Sequence, residues 1–401
     1  MDFGTAQAAP VLGLMLAQMG MEVIKVESRT RLDGIRLGRP IGQDDTSGGD
    51  QGKWPDLQPS FHAHNRGKLG MLVNLKTTKG IALVKELIKQ TDIVIDNYSP
   101  GVMQRLGLDH KELEKIKPDI ITISLSGAGE SGPLRDVVLY AATIQSISGQ
   151  SSLIGYEGEP ILGMSELAYG DANATIHGTL GVLAALWHRN QTGEGQHIEL
   201  SESEALTSTM GEAVLDYTMN GRVMGATGNT DRVMAPHGNY RCKGNDKWVS
   251  IAVDTEVEWA AFCRTIGSPG WTKEARFKDA ASRHENRAEL DRLVNAWTEN
   301  FEPWEVANLF QPAGVAAFPV FNIEDQFCDS HFREREIYPE IQHPLVGTEM
   351  GYSMPWHFSD MPNGNHVPAP SLGEHNHYVY HDLLGLSDNE IKSLVEQGVI
   401  C

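Results

Sequence analysis

The segment YGDANATIHGTLGVLAALWHRN, residues 169–190, sets one aspartate, Asp171, between a turn signal and a long run of small and aliphatic residues. Such a run reads as a helix, and an aspartate at its start has two uses. It can be the N-cap, its oxygen accepting a free N–H of the first turn. It can equally be a nucleophile, because the positive end of a helix favours an ionised carboxylate. Both uses want the same place, so residue types leave the choice open. Ala172, Ala174 and Gly178 are small enough to let a bulky ligand approach the backbone.

Other patterns carry less. SGAGESG (Ser126 to Gly132) contains a formal GxGxxG after a strand-like run, but Pro133 follows at once and no acidic residue ends a following strand. A glycine-rich turn is expected there, not a dinucleotide site. His62 and His64 are spaced to share one face of a strand, yet no further ligands stand at metal spacing. They read as surface or loop histidines, and no metal site is expected. Cys242, Cys263, Cys328 and Cys401 are scattered, which points to free thiols in the cytoplasm. No GxSxG elbow is present.

The elements that must position these residues follow from periodicity. EVIKVE, GMLVNL, DIVIDN and DIITISLSG read as buried strands, with helices at TKGIALVKELIKQ and HKELEKIKP between them. Strands alternating with helices imply a parallel sheet with helical crossovers. From about Glu202 the texture changes, with KWVSIAV and GVAAFPVFNI as strands around helical segments. The chain ends in a helix whose Ser387 and Glu390 have capping-box spacing. At 401 residues, 40% hydrophobic and 21% charged, the chain has the balance of a soluble globular protein with two domains. No window approaches 18 apolar residues, and the apolar N-terminus lacks the basic start of a signal peptide. The net charge of −20 argues against a nucleic-acid or anionic-membrane surface. An anionic cofactor would need a local cluster of Arg and Lys.

Several segments in order resemble the class III CoA-transferases, the family of formyl-CoA:oxalate, carnitine and benzylsuccinate CoA-transferases and, more distantly, the α-methylacyl-CoA racemases. They are DFGTAQAAP, MGMEVIKVES, HNRGKLGMLVNLKTTKG, DIVIDNYSPGVMQRLGL, SLSGAGESGP, YGDANATIHG, LAALWHRNQTGEGQHIELS, APSLGEHN and LLGLSDNEI, and they span nearly the whole chain.

The resemblance implies an α/β fold: a large Rossmann-like domain built from both chain ends (1–205 and 321–401), a smaller α+β domain (206–320), and an interlocked dimer. It makes Asp171 the covalent nucleophile and puts Gln7 near the reacting carbonyl. It lines the CoA site with Ala6, Arg36, Val73, Lys76, Asn97, Tyr98, Arg105 and Tyr140, of which Arg36, Lys76 and Arg105 are the cations for the phosphates. No cofactor is held permanently, CoA being substrate and product. The expected reaction moves CoA from an acyl-CoA donor, succinyl-CoA first, to a carboxylic acid such as benzylsuccinate or a similar aryl or dicarboxylic acid. The partners are these substrates and a second copy or a related subunit. Because Asp171 is present, this chain would be the catalytic member of a mixed pair.

Three departures from the family pattern bear on this. Tyr140 and Ala141 stand where the racemase branch has a His–Asp pair, so the two-base proton transfer of an acyl-CoA racemase, the nearest alternative, lacks its groups. The stretch MAPHGNYRCKG offers only Gly238, beside His237, where formyl-CoA transferase has a mobile run of glycines. The chain also starts inside the expected first strand, which puts Gln7 close to the terminus.

Overall fold

The computed structural model describes residues 1–38, 51–163, 168–361, 364 and 366–401. The chain divides into two compact units. One comprises Met1–Ser151, Met164–Arg222 and Arg333–Cys401, the other Ser152–Gly163 and Val223–Phe332.

The first unit alternates strands and helices as the periodicity requires. In chain order these are α1 (Ala8–Gln18), β1 (Ile24–Glu27), α2 (Pro59–Asn65), β2 (Leu69–Leu72), α3 (Thr78–Ile88), β3 (Ile93–Asp96), α4 (Val102–Leu106), α5 (His110–Leu113) and β4 (Ile121–Ser126). After them come α6 (Ala141–Ile147), α7 (Tyr169–Thr192), β5 (Gln196–Ser201), α8 (Glu202–Thr207) and α9 (Gly211–Asn220). β1 pairs with β2, and β3 with β4 and β4 with β5, all parallel. Asp2 joins the two groups through parallel bridges to Lys25 and Ile95. Its N–H donates to the Ile24 carbonyl at 2.8 Å, and the Phe3 N–H to the Ile95 carbonyl at 2.8 Å.

β3 and β4 are buried along their whole length, as strands covered by helices on both faces are. Alternate residues of β3 show the division: Val94 joins a core with Val26, Met71, Val84 and Tyr380, whereas Ile93 and Ile95 join another with Leu12, Ile123 and Val182. The C-terminal segment seals the first core, the Tyr380 hydroxyl donating to the Leu72 carbonyl at 2.6 Å. The final helix, Asp388–Glu396, has the expected capping box at Ser387 and Glu390. Residues 127–138 turn and bend without opening a helix, as their glycines and Pro133 suggest.

The second unit is an antiparallel sheet of β6 (His237–Arg241), β7 (Trp248–Ala252) and β8 (Ala316–Pro319). Its core gathers Tyr240, Val249, Phe262, Phe277 and Phe310 between sheet and helices. The stretch MAPHGNYRCKG, set against the mobile glycine run of formyl-CoA transferase, is in part a strand. His237 and Gly238 begin β6, and pairing with Ala252 and Ile251 fixes them as strand.

His62 is also corrected. It lies on α2, not in a surface loop, and is buried. Its ring stacks on His343 at 4.2 Å and bonds to Glu349 at 2.8 Å and to the Asp56 carbonyl at 3.0 Å.

Candidate active site

Asp171 is the third residue of α7, and the N-cap is Ala168, which makes no side-chain cap bond. The simple cap reading is therefore corrected. The backbone N–H groups of Asp171 itself and of Ala8, the first residue of α1, instead act on the Asp171 carboxylate and lower its pKa. Two helix N-termini thus meet at one half-buried carboxylate, both favouring its ionised form. Burial acts against them and raises its pKa above the ordinary carboxylate value.

The helices are locked in this relation. The Thr175 hydroxyl donates to the Ala8 carbonyl at 2.9 Å, and a Cβ built on Gly178 would lie 2.6 Å from Leu12 and 3.4 Å from Ile123. Ala174 is fully buried in the same contact. The small residues of α7 therefore serve close helix packing and not, as their size suggested, the approach of a ligand. Ala172 alone of the three is exposed.

Ahead of α1 the chain makes a tight turn through Ala6, whose φ of 59° is a left-handed value that costs an alanine about 1 kcal/mol. Its surroundings hold it there. The Ala6 N–H donates to both carboxylate oxygens of Asp33, at 2.9 and 3.2 Å, and the His64 ring meets the Ala6 carbonyl at 3.2 Å. The Asn97 side chain grips the preceding residue from both sides, accepting from the Thr5 N–H and donating to the Thr5 carbonyl, each at 2.8 Å. Gln7 is half-buried and occupies the N-cap position of α1 without a side-chain cap bond.

Beneath this turn lies a buried charge network that residue spacing alone did not reveal. Lys68 donates to Asp2 at 2.7 Å, to the Pro10 carbonyl at 2.7 Å and to Asn65 at 2.8 Å, while Lys25 faces Asp33 at 3.8 Å and donates to the Gly4 carbonyl. The available signal was Lys25 between Ile24 and Val26 in the buried strand IKVE, because an unpaired buried charge is too costly to keep.

A cleft of about 200 Å³ opens at the carboxyl ends of β1, β2 and β3, where parallel α/β sheets bind ligands. Val73, Lys76 and Tyr98 line it together with Thr5, Arg31 and Leu75. Burial pushes the Tyr98 hydroxyl up to about 12, so it enters the cleft as a neutral donor. Arg105 is exposed on α4, whose Val102 and Leu106 also line the cleft. Arg31 was missed in the sequence.

Arg36 and Tyr140 stand apart from the cleft lining. Arg36 is fully buried, stacked on Phe61 at 3.3 Å, and donates to Glu27 twice, to Asp56, and to the carbonyls of Pro55 and Pro370. Those five bonds use every N–H of a guanidinium, which leaves none for a phosphate. Tyr140 is the N-cap of α6 and 77% exposed. Among the described residues one group has metal-ligand spacing, His377, His381 and Asp382, and all three are exposed. No helix among them is long and apolar enough to cross a membrane.

Comparison with known proteins identifies the family. The whole chain aligns at 29% identity with succinyl-CoA–D-citramalate CoA-transferase of Chloroflexus aurantiacus, covering 96% of that protein. It is 30% identical, over the whole chain and 96% of the relative, to the beta subunit of succinyl-CoA–L-malate CoA-transferase from the same organism. A solved CAIB/BAIF family protein from Brucella suis superposes with a TM-score of 0.84 at 26% identity, over 95% of this chain and 97% of that one. Residues 1–376 match CoA-transferase family III. The chain belongs to that family and is a class III CoA-transferase.

Proposed function

We propose that the protein moves CoA from succinyl-CoA to a dicarboxylic acid acceptor through covalent intermediates on Asp171. The observation that carries this is the meeting of the α1 and α7 N-termini at one half-buried carboxylate. The Asp171 carboxylate attacks the thioester carbonyl, the carbon–sulfur bond breaks, and a mixed anhydride and the CoA thiolate result. The thiolate attacks the aspartyl carbonyl, which releases succinate and leaves an aspartyl-CoA thioester. The acceptor carboxylate attacks that thioester and expels the thiolate. The thiolate then attacks the acceptor carbonyl of the new anhydride, giving the product thioester and free Asp171. Each step passes through an oxyanion, for which the Gln7 amide, unspent on capping, is the proposed donor.

Val73, Lys76, Asn97, Tyr98 and Arg105, with Arg31 added, are the proposed CoA-site residues, and Ala6 shapes the turn beside them. Arg36 holds the framework of the site. CoA enters as substrate and leaves as product, with no resident cofactor. The succinyl donor is supported by the names of the Chloroflexus relatives, and their acceptors, D-citramalate and L-malate, are dicarboxylic acids. The four free thiols suit a reducing compartment, the cytoplasm. An interlocked dimer is the proposed assembly, supported by an apolar stripe along α7 formed by Ile176, Leu180, Leu183 and Trp187.

Incubation with succinyl-CoA followed by hydroxylamine and mass spectrometry should locate a hydroxamate on Asp171. Transfer to malate, citramalate and benzylsuccinate, followed in parallel, ranks the acceptors. Full transfer activity in Asp171→Ala would overturn the mechanism.

A further inference from the structure

Glu202 opens α8 directly after β5, and Ser201 caps that helix. Strand register sets Ser201 beside Ser126 at the carboxyl end of β4, and the Ser203 N–H donates to the Gly127 carbonyl at 3.0 Å. Glu202 therefore sits at a sheet edge, and the charge of Asp171 reaches it across the packed α7 and α8. It is 5% exposed, and its Oε2 has no hydrogen-bond partner among the described residues. A buried ionised carboxylate without donors is costly enough that the group takes up a proton instead. Asp171 differs in that two backbone N–H groups act to favour its ionised form. Two carboxyls whose charges act on each other favour a single proton at neutral pH, and it goes to the more deeply buried one, whose Oε2 has no donor.

We propose that Glu202 is a positioning residue for the transfer, holding the single proton of the pair so that Asp171 remains the only anion at the reaction centre. This rests on the reading of Asp171 as the nucleophile. When Glu202 ionises, a second negative charge stands beside Asp171 and opposes the arrival of the acceptor carboxylate and the return of the CoA thiolate. The neighbouring elements place few other charges around it. α7 carries Tyr169, Asp171 and His177, with His188 and Arg189 at its far end, β5 carries His197 and Glu199, α8 itself carries Glu204, and α6 has no charged residue. Burial first, and then the Asp171 charge, push Glu202 up to about 8, which sets the pH of the change.

The test is the pH profile of kcat/KM for transfer from succinyl-CoA in the wild type and in Glu202→Gln. The wild type should lose activity along an alkaline limb centred near 8. The glutamine variant, which cannot ionise, should lack that limb, so its ratio of rate at high to neutral pH rises about tenfold over the wild-type ratio. A merely structural role would change rates at every pH and leave the limb in place. The infrared band of a protonated carboxylic acid, measured on the wild-type protein, gives a readout independent of any variant. It should be present at neutral pH, vanish through the same pH range, and titrate lower in Asp171→Asn. Absence of that band at neutral pH, or an unmoved limb in Glu202→Gln while Asp171 still forms its hydroxamate, overturns the role of Glu202 alone. Failure to find the hydroxamate at any pH overturns the Asp171 reading, and this inference with it.

Discussion

At the scale of single residues, the site is held by charges placed where water cannot reach them. Asp2 and Lys68 are fully buried and 2.7 Å apart, and Lys68 also fixes Pro10 at the start of α1. Burial alone would raise the pKa of Asp2, but Lys25 and Lys68 outweigh it and hold Asp2 below the ordinary range. Its folded pKa is thus lower than its unfolded one. The stability this gives is complete above the unfolded pKa and is lost as pH falls through the folded value. Removing one partner is a harsher test. Lys68→Met leaves Asp2 buried with a diminished counter-charge and should cost about 3–5 kcal/mol in urea unfolding, with Asp2→Asn added to it recovering part of that loss. If the single variant lost under about 1 kcal/mol, the network would not be what supports the turn.

At the scale of elements, α7 sets the proposed nucleophile, Asp171, near the start of α1, and Gly178 packs against Leu12 of α1. Gly178→Ala puts a methyl 2.6 Å from Leu12, an overpacking expected to cost about 1–3 kcal/mol. Because the same contact sets Ala8 against Asp171, kcat should fall as well, and Leu12→Ala in the same chain should restore part of both. Thermal unfolding and transfer assays read the two effects separately. The elements themselves were largely legible: β1, β3 and β4 are buried along their whole length, and their Ile, Val and Leu residues mark them as strands. Asp171 was legible as a residue at a helix start but not as the third residue of the helix, because YGD offers several places to begin. The part played by Gly178 was not legible either, since a small residue in a helix looks the same whether a ligand or another helix comes near. Arg36 shows the same limit for charge. Its type suits a phosphate, and only the folded chain shows that Glu27, Asp56 and two carbonyls have used all its donors.

At the scale of the whole molecule, association must work against charge. Two chains of net charge −20 repel one another, so an assembly needs apolar contact to offset the repulsion. The side of α7 away from α1 offers it. Ile176, Leu180, Leu183 and Trp187 follow one another at spacings of four, three and four residues, a helical stripe, and they are between 37% and 70% exposed. Light scattering should therefore give twice the mass of one chain, and Leu180→Glu with Trp187→Glu should reduce it to one. Salt separates this stripe from a contact held by ion pairs. Screening weakens attraction between opposite charges but also weakens the repulsion between two like-charged chains. A dimer built on the α7 stripe should accordingly tighten as ionic strength rises, and dissociation on adding salt would show that a different, charged surface holds the chains together.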